Sequence, residues 1–248
     1  MGILGLSRWN FPGDWMHLGD SGILPMMEGS ALDELISYDM RKSGSLHSNF
    51  IEIVGEIRSE YDKQKTPPSH RIYGMKIAHF HKTDDWSTLT CKASHSRALL
   101  PILVPILHKF NDGSDHNGHR ILAFEALNSC YQIILRSGTF IPPKDCETMA
   151  ENIETCMFHY NWLTNYSLER HSLRYNLTLK AHLLVHLVGF SQYINPRMHW
   201  AYGFEAMMGV MAKSAFACVP GTSLIQAGAK VSDNYRLALY IKAHSRRR

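Results

Sequence analysis

The chain of 248 residues is 45% apolar and 19% charged, with 26 basic against 22 acidic side chains and a net charge of +4. That balance excludes a disordered chain, a collagen-like repeat and a coiled-coil array, and it suffices for one large domain or two small ones. Five cysteines at scattered positions make no disulfide framework and fit a reducing compartment.

The N-terminal stretch from Met1 to Trp15 has no basic segment followed by a long apolar one, so no secretory signal is expected. Gly2 does not open a myristoylation motif, because Leu6 stands where Ser or Thr is needed. No apolar run approaches the roughly 18–20 residues of a membrane span. The expectation is an intracellular protein, not secreted and not in a membrane. The triplets at Asn165 and Asn176 then match the glycosylation pattern by chance.

Ile3–Leu6 reads as a short strand, followed by Asp14-Trp-Met-His17-Leu-Gly-Asp20. Ser30-Ala-Leu-Asp33 has the spacing of a capping box, with Asp in place of Glu, and predicts a short helix through Ile36. After a turn at 41–45, Phe50, Ile53, Val54, Ile57 and Tyr61 fall on one helical face. Loops are expected at 65–69, 111–115, 137–143 and 219–221, where Gly, Pro, Asn and Asp gather. Arg71–Phe80 reads as a second possible strand. The stretches 96–110, 119–136, 145–164, 177–194, 198–217 and 222–243 have helical length. The predicted fold is therefore mainly α, a compact multi-helix domain with at most one or two short strands.

Two of these helices bear on function. Helix 177–194 is apolar nearly all round, with Leu177, Leu179, Leu183, Leu184, Val185, Leu187, Val188 and Phe190, which predicts a core helix. Helix 198–217 carries the stripe Trp200, Phe204, Met207, Met208 and Met211, beside Glu205. Glu205 has Ala201, Gly209 and Ala212 as neighbours, so it is expected to be paired, functional or buried at a cost.

Charge is unevenly spread. Residues 169–248 hold eleven basic and three acidic side chains. A basic excess of this kind points to a polyanion, since cationic groups at phosphates release counterions. Lys180, Arg197, Lys213, Lys230 and the terminal Arg246, Arg247 and Arg248 are the candidate contacts, with DNA the candidate partner.

Taken in order, Asp14…His17, Lys180-Ala-His182…His186 and Trp200…Phe204-Glu205 resemble the C-terminal part of cut-and-paste DNA transposases of the CACTA (En/Spm) type, which have an RNase H-like core. The resemblance covers roughly residues 9–36 and 177–240, and residues 41–176 match as a helical insertion. It implies three segments: a core remnant at 1–40, the insertion at 41–176, and C-terminal helices at 177–248 that pack back on the first. It further implies that Asp14 and Glu205 are the second and third catalytic carboxylates, holding Mg²⁺ with His17 positioning the site. Two-metal phosphoryl transfer needs such carboxylates to converge on ions about 4 Å apart. The family's first catalytic Asp lies on an upstream strand, whereas 13 residues precede Asp14 here. The expectation is thus a truncated or domesticated relative, catalytically incomplete, and nuclear where it binds DNA.

Two other classes compete. His182 and His186 are four residues apart and share a helix face, as zinc ligands do. A zinc hydrolase would add ligands from His79, His81, Asp84, Asp85, His199 or Glu205; the general-base Glu of the metalloprotease motif is replaced by Leu183. The third class is a helical scaffold without chemistry. Gly-rich phosphate loops, nucleophile elbows and Cys-x-x-Cys pairs do not occur in the sequence.

Overall fold

The structure of the chain is a computed structural model that describes residues 13–39, 45–218 and 223–245. It is mainly helical, and no strand occurs among the described residues. The chain divides into two units, Met1–Trp200 and Ala201–Arg248.

The first unit is assembled on one continuous helical rod. A π-helical start, Met16–Ile23, runs into α1, Leu24–Glu34, and on into a second π-helical piece, Leu35–Asp39. Trp15, Ile23, Leu24, Met27, Ala31, Leu32 and Leu35 on this rod are all buried. The Ser30–Asp33 box therefore does not begin a helix but lies inside one. Ser30 instead donates to the Ser87 carbonyl at 3.3 Å and accepts from the Tyr175 amide at 2.8 Å. Its hydroxyl is spent on distant backbone, which sequence spacing cannot reveal.

Around the rod lie α2 (Leu46–Lys63), α3 (Ala93–Lys109), α4 (Asp115–Arg136), α5 (Pro143–Glu169) and α6 (Leu179–Phe190). Ser45 caps α2 and Ser114 caps α4, each accepting a backbone N–H from three residues on. The predicted face of α2 holds, with Ile53, Ile57 and Tyr61 buried. Pro101 and Pro105 lie inside α3, and neither is buried. The carbonyl that Pro105 frees, that of Pro101, accepts instead from Gln64 Nε2 at 3.1 Å.

Arg71–Phe80 is not a strand. It forms irregular backbone between 3₁₀ turns at Pro68–His70 and Ile77–His79, and no neighbouring strand offers a ladder. Ile3–Leu6 lies outside the described residues. Helix α6 is not the core helix expected, buried on every side: Ala181, Leu184, Leu187 and Val188 are buried, whereas Leu179, His182, Leu183 and His186 face solvent.

Segment 87–89 crosses α1 at Gly29. There the Leu89 amide donates to the Pro25 carbonyl at 2.8 Å. A Cβ on Gly29 would lie 2.5 Å from the Leu89 nitrogen and 2.7 Å from the Thr88 carbonyl carbon. Both are backbone atoms, so the clash cannot relax by rotating a side chain.

The second unit consists of α7 (Tyr202–Cys218) and α8 (Leu224–Ser245), which pack on each other. The stripe predicted for its first helix is largely exposed: Phe204, Met207 and Met208 are open to solvent and Met211 is half-buried. Among the described residues no helix is long and apolar enough to cross a membrane.

Gly29→Ala should lower unfolding free energy by about 1–3 kcal/mol, the range for overpacking a tight contact. Gly55→Ala, at an exposed position of α2 with open space around it, should raise it by roughly 0.5–1 kcal/mol. Urea denaturation of the two variants beside the native chain checks both signs.

Candidate functional site

Asp14 stands where the rod begins. Its Oδ1 accepts from the Met16 amide at 3.2 Å and its Oδ2 from the His17 amide at 3.3 Å. The His17 ring Nδ1 bonds the same Oδ2. The element to which the resemblance gives a catalytic role is, locally, the geometry of a helix start with its acid bonded by a histidine one turn on. His17 is exposed and Asp14 half-buried.

Against this start lies α6, far away in sequence. Lys180 points its Nζ at the Ser21 carbonyl, 3.5 Å away, and its Cδ lies 3.0 Å from where a Cβ on Gly22 would be. Leu187 approaches the corresponding point on Gly13 at 4.0 Å. The first two sequence elements therefore share one interface. His182 and His186 are on the other side of α6, exposed, with their Nε2 atoms 3.0 Å apart.

The third element straddles the boundary between the units. Trp200 closes the first unit, with the Arg97 guanidinium over its ring at 4.6 Å. Phe204 and Glu205 stand in the first turns of α7 and are exposed. Of the three expectations for Glu205 (paired, functional or buried at a cost), burial is the one that this exposure does not meet. Among the described residues no group of three or more His, Cys, Asp or Glu side chains converges as a metal cluster would. Of the supplementary zinc ligands suggested by sequence, His81 is bonded to Asp33 instead.

Of the candidate phosphate contacts, Lys213 and Lys230 are exposed on the second unit. Arg197 donates to the Leu135 carbonyl at 3.1 Å, near the C-terminus of α4. Arg246, Arg247 and Arg248 lie outside the described residues.

The buried charges of the rod are what sequence reading passed over. Asp20 accepts from the Tyr131 hydroxyl, and Arg97 NH1 lies 3.5 Å from its other oxygen. Asp33 accepts from Arg174 Nε at 2.6 Å and Ser87 Oγ at 3.0 Å, and it bonds His81. Glu34 accepts from Arg120 at 3.0 Å and the Tyr175 hydroxyl at 2.6 Å, with His116 Nε2 at 3.1 Å. A signal did exist: these acids interrupt an otherwise apolar or small-residue run from Leu18 to Ile36. Their partners, however, come from residues far along the chain.

Glu28 differs from the other three. Ser96 Oγ lies 2.5 Å from its Oε2, and among the described residues Oε1 has no hydrogen-bond partner. Burial drives its carboxyl well above the usual value of 4.5, opposed by the Ser96 bond and aided by nearby Asp20. Burial thus favours its neutral form in the core.

A polar cavity of about 320 Å³ opens beside Glu34, lined by Asp112, His116, Tyr166, Arg170 and Arg174. Burial, then the charges of Arg120 and Arg170, lower His116 to about 4, so it is neutral at physiological pH. Next to it runs a stacked column: Arg170 over Tyr166, Tyr166 on Trp162, and Trp162 on His119 with ring centroids 4.0 Å apart. His119 in turn meets His159, their Nδ1 atoms 2.8 Å apart. Cys130 and Cys156 are buried and their thiols pushed upward, Cys130 to about 12, so neither is a nucleophile.

No family profile, curated protein or solved structure matches this chain.

Because Glu28 ionises less readily folded than unfolded, its contribution is complete below pH 4.5 and is lost as pH rises toward the folded value. Glu28→Gln should therefore become progressively more stable than the native chain as the pH climbs above 4.5. Thermal melts of the two proteins across pH 4–8 test this; parallel curves would contradict it. Arg120→Met leaves Glu34 short of a buried cation and should cost about 3–5 kcal/mol in urea unfolding.

Proposed function

We propose that the chain is a transposase-derived protein of the CACTA type whose activity is nucleic-acid binding through its second unit. One observation carries this reading: charge segregates at the boundary between the units. Residues 201–248 hold seven basic against two acidic side chains, while the preceding 200 hold nineteen against twenty. The whole net charge of the protein therefore resides in a two-helix unit that makes up its last fifth. Lys213 on α7 and Lys230 and Arg236 on α8 are exposed, so they can reach phosphates without unfolding anything.

Support for the lineage comes from the first unit. The Asp14–His17 turn and the helix of Lys180 lie against each other although more than 150 residues separate them. That is the order of contact which the resemblance implies. In the resemblance Asp14 and Glu205 match two family carboxylates, and Mg²⁺ is the ion that the family uses. Binding rather than strand transfer is the activity assigned, because the charge segregation bears on binding alone.

Fluorescence anisotropy with a labelled DNA duplex between 50 and 200 mM salt, about the range over which phosphate contacts tell most, tests the proposal. Affinity should fall steeply with salt, and each neutralised contact should reduce the log–log slope by about 0.9. Lys213→Gln, Lys230→Gln and Arg236→Gln together should flatten it by two to three such steps. Absence of binding, or a slope indifferent to these changes, would reject the reading.

A further inference from the structure

His182 and His186 stand one turn apart on the exposed side of α6, away from the side that packs on the rod. Their Nε2 atoms are 3.0 Å apart, and their rings are perpendicular with centroids at 4.5 Å. Two imidazole nitrogens bound to one tetrahedral ion, each about 2.0–2.1 Å from it, sit roughly 3.3–3.4 Å from each other. The pair is therefore within a few tenths of an ångström of that spacing, on a helix that already fixes both backbones. One nitrogen now donates a proton to the other. An ion would displace that shared proton and accept a lone pair from each ring.

The surroundings favour a cation of one type. Lys180 turns its ammonium away, toward the Ser21 carbonyl. Among the described residues no carboxylate or thiolate joins the two rings in a group of three. A hard, oxygen-seeking ion such as Mg²⁺ has nothing to bind here. Imidazole nitrogens suit late first-row divalent ions, with Cu²⁺ ahead of Ni²⁺ and Zn²⁺. Water would fill the other coordination positions.

We propose that His182 and His186 form a two-nitrogen chelate on α6 for a late first-row divalent ion. The site is independent of the nucleic-acid reading, since it uses neither the second unit nor Asp14. It also differs from a zinc hydrolase centre, which needs a third protein ligand.

Calorimetric titration of the full chain with Ni²⁺ in a non-coordinating buffer tests the chelate. The expected result is a saturable site of one ion per chain. His182→Ala or His186→Ala should each weaken it by roughly tenfold or more, because the second nitrogen binds as an intramolecular arm. Both side chains are exposed, so circular dichroism of either variant should match that of the native chain. His159→Gln, which removes the other close histidine pair, should leave the site intact. Failure to saturate at millimolar Ni²⁺, or undiminished binding by the double variant His182→Ala/His186→Ala, would overturn the proposal.

Discussion

A carboxylate cannot be left alone in a protein core, and the rod of residues 16–39 buries four acids. Each one demands a different answer. Asp20 recruits Tyr131 from α4 and Arg97 from α3, while Glu28 meets Ser96 of α3. Asp33 draws Arg174, Ser87 and His81 from the loops, and Glu34 takes Arg120 and His116 of α4 together with Tyr175. Helices α3 and α4 and the loop residues His81, Ser87, Arg174 and Tyr175 are therefore tied to named positions along the rod. Burying such pairs contributes little net stability, because desolvation offsets their attraction. The apolar neighbours Leu24, Met27, Leu32 and Leu35 supply the driving force. What the acids add is register: a helix slipped by one residue would strand all four.

How far this was legible can be judged from particular residues. Face periodicity placed α2 through Ile53, Ile57 and Tyr61, since those positions obey a local rule. Ser30 and Asp33 misled, because a capping box and two core polar groups look identical over four residues. The difference lies at Ser87, Arg174 and Tyr175, between 54 and 145 positions away. Leucine spacing along 177–190 likewise cannot tell a helix wrapped on all sides from one with Leu179 and Leu183 in water. The packing of α6 against the Asp14 turn joins residues too far apart for any local pattern to reveal, and an acid three residues before a histidine does not by itself distinguish a helix start from a site.

The two units divide the physical labour. The first spends its charges internally, on Arg120, Arg174 and Arg97, and comes out nearly neutral. The second has Lys213, Lys230 and Arg236 at its surface, on helices with exposed large apolar side chains, Phe216 to 81%. A surface that is basic and apolar together suits a polyanion presenting flat, stackable faces as well as phosphates.

The thiols add a different consequence. Cys130 lies in α4 with its Sγ 3.6 Å from the Met149 carbonyl of α5, and Cys156 is sealed in α5. Neither sulfur can meet an alkylating reagent while α4 and α5 remain closed on each other. Their modification rate is accordingly a built-in clock for the breathing of that helix pair, readable by mass without any added label.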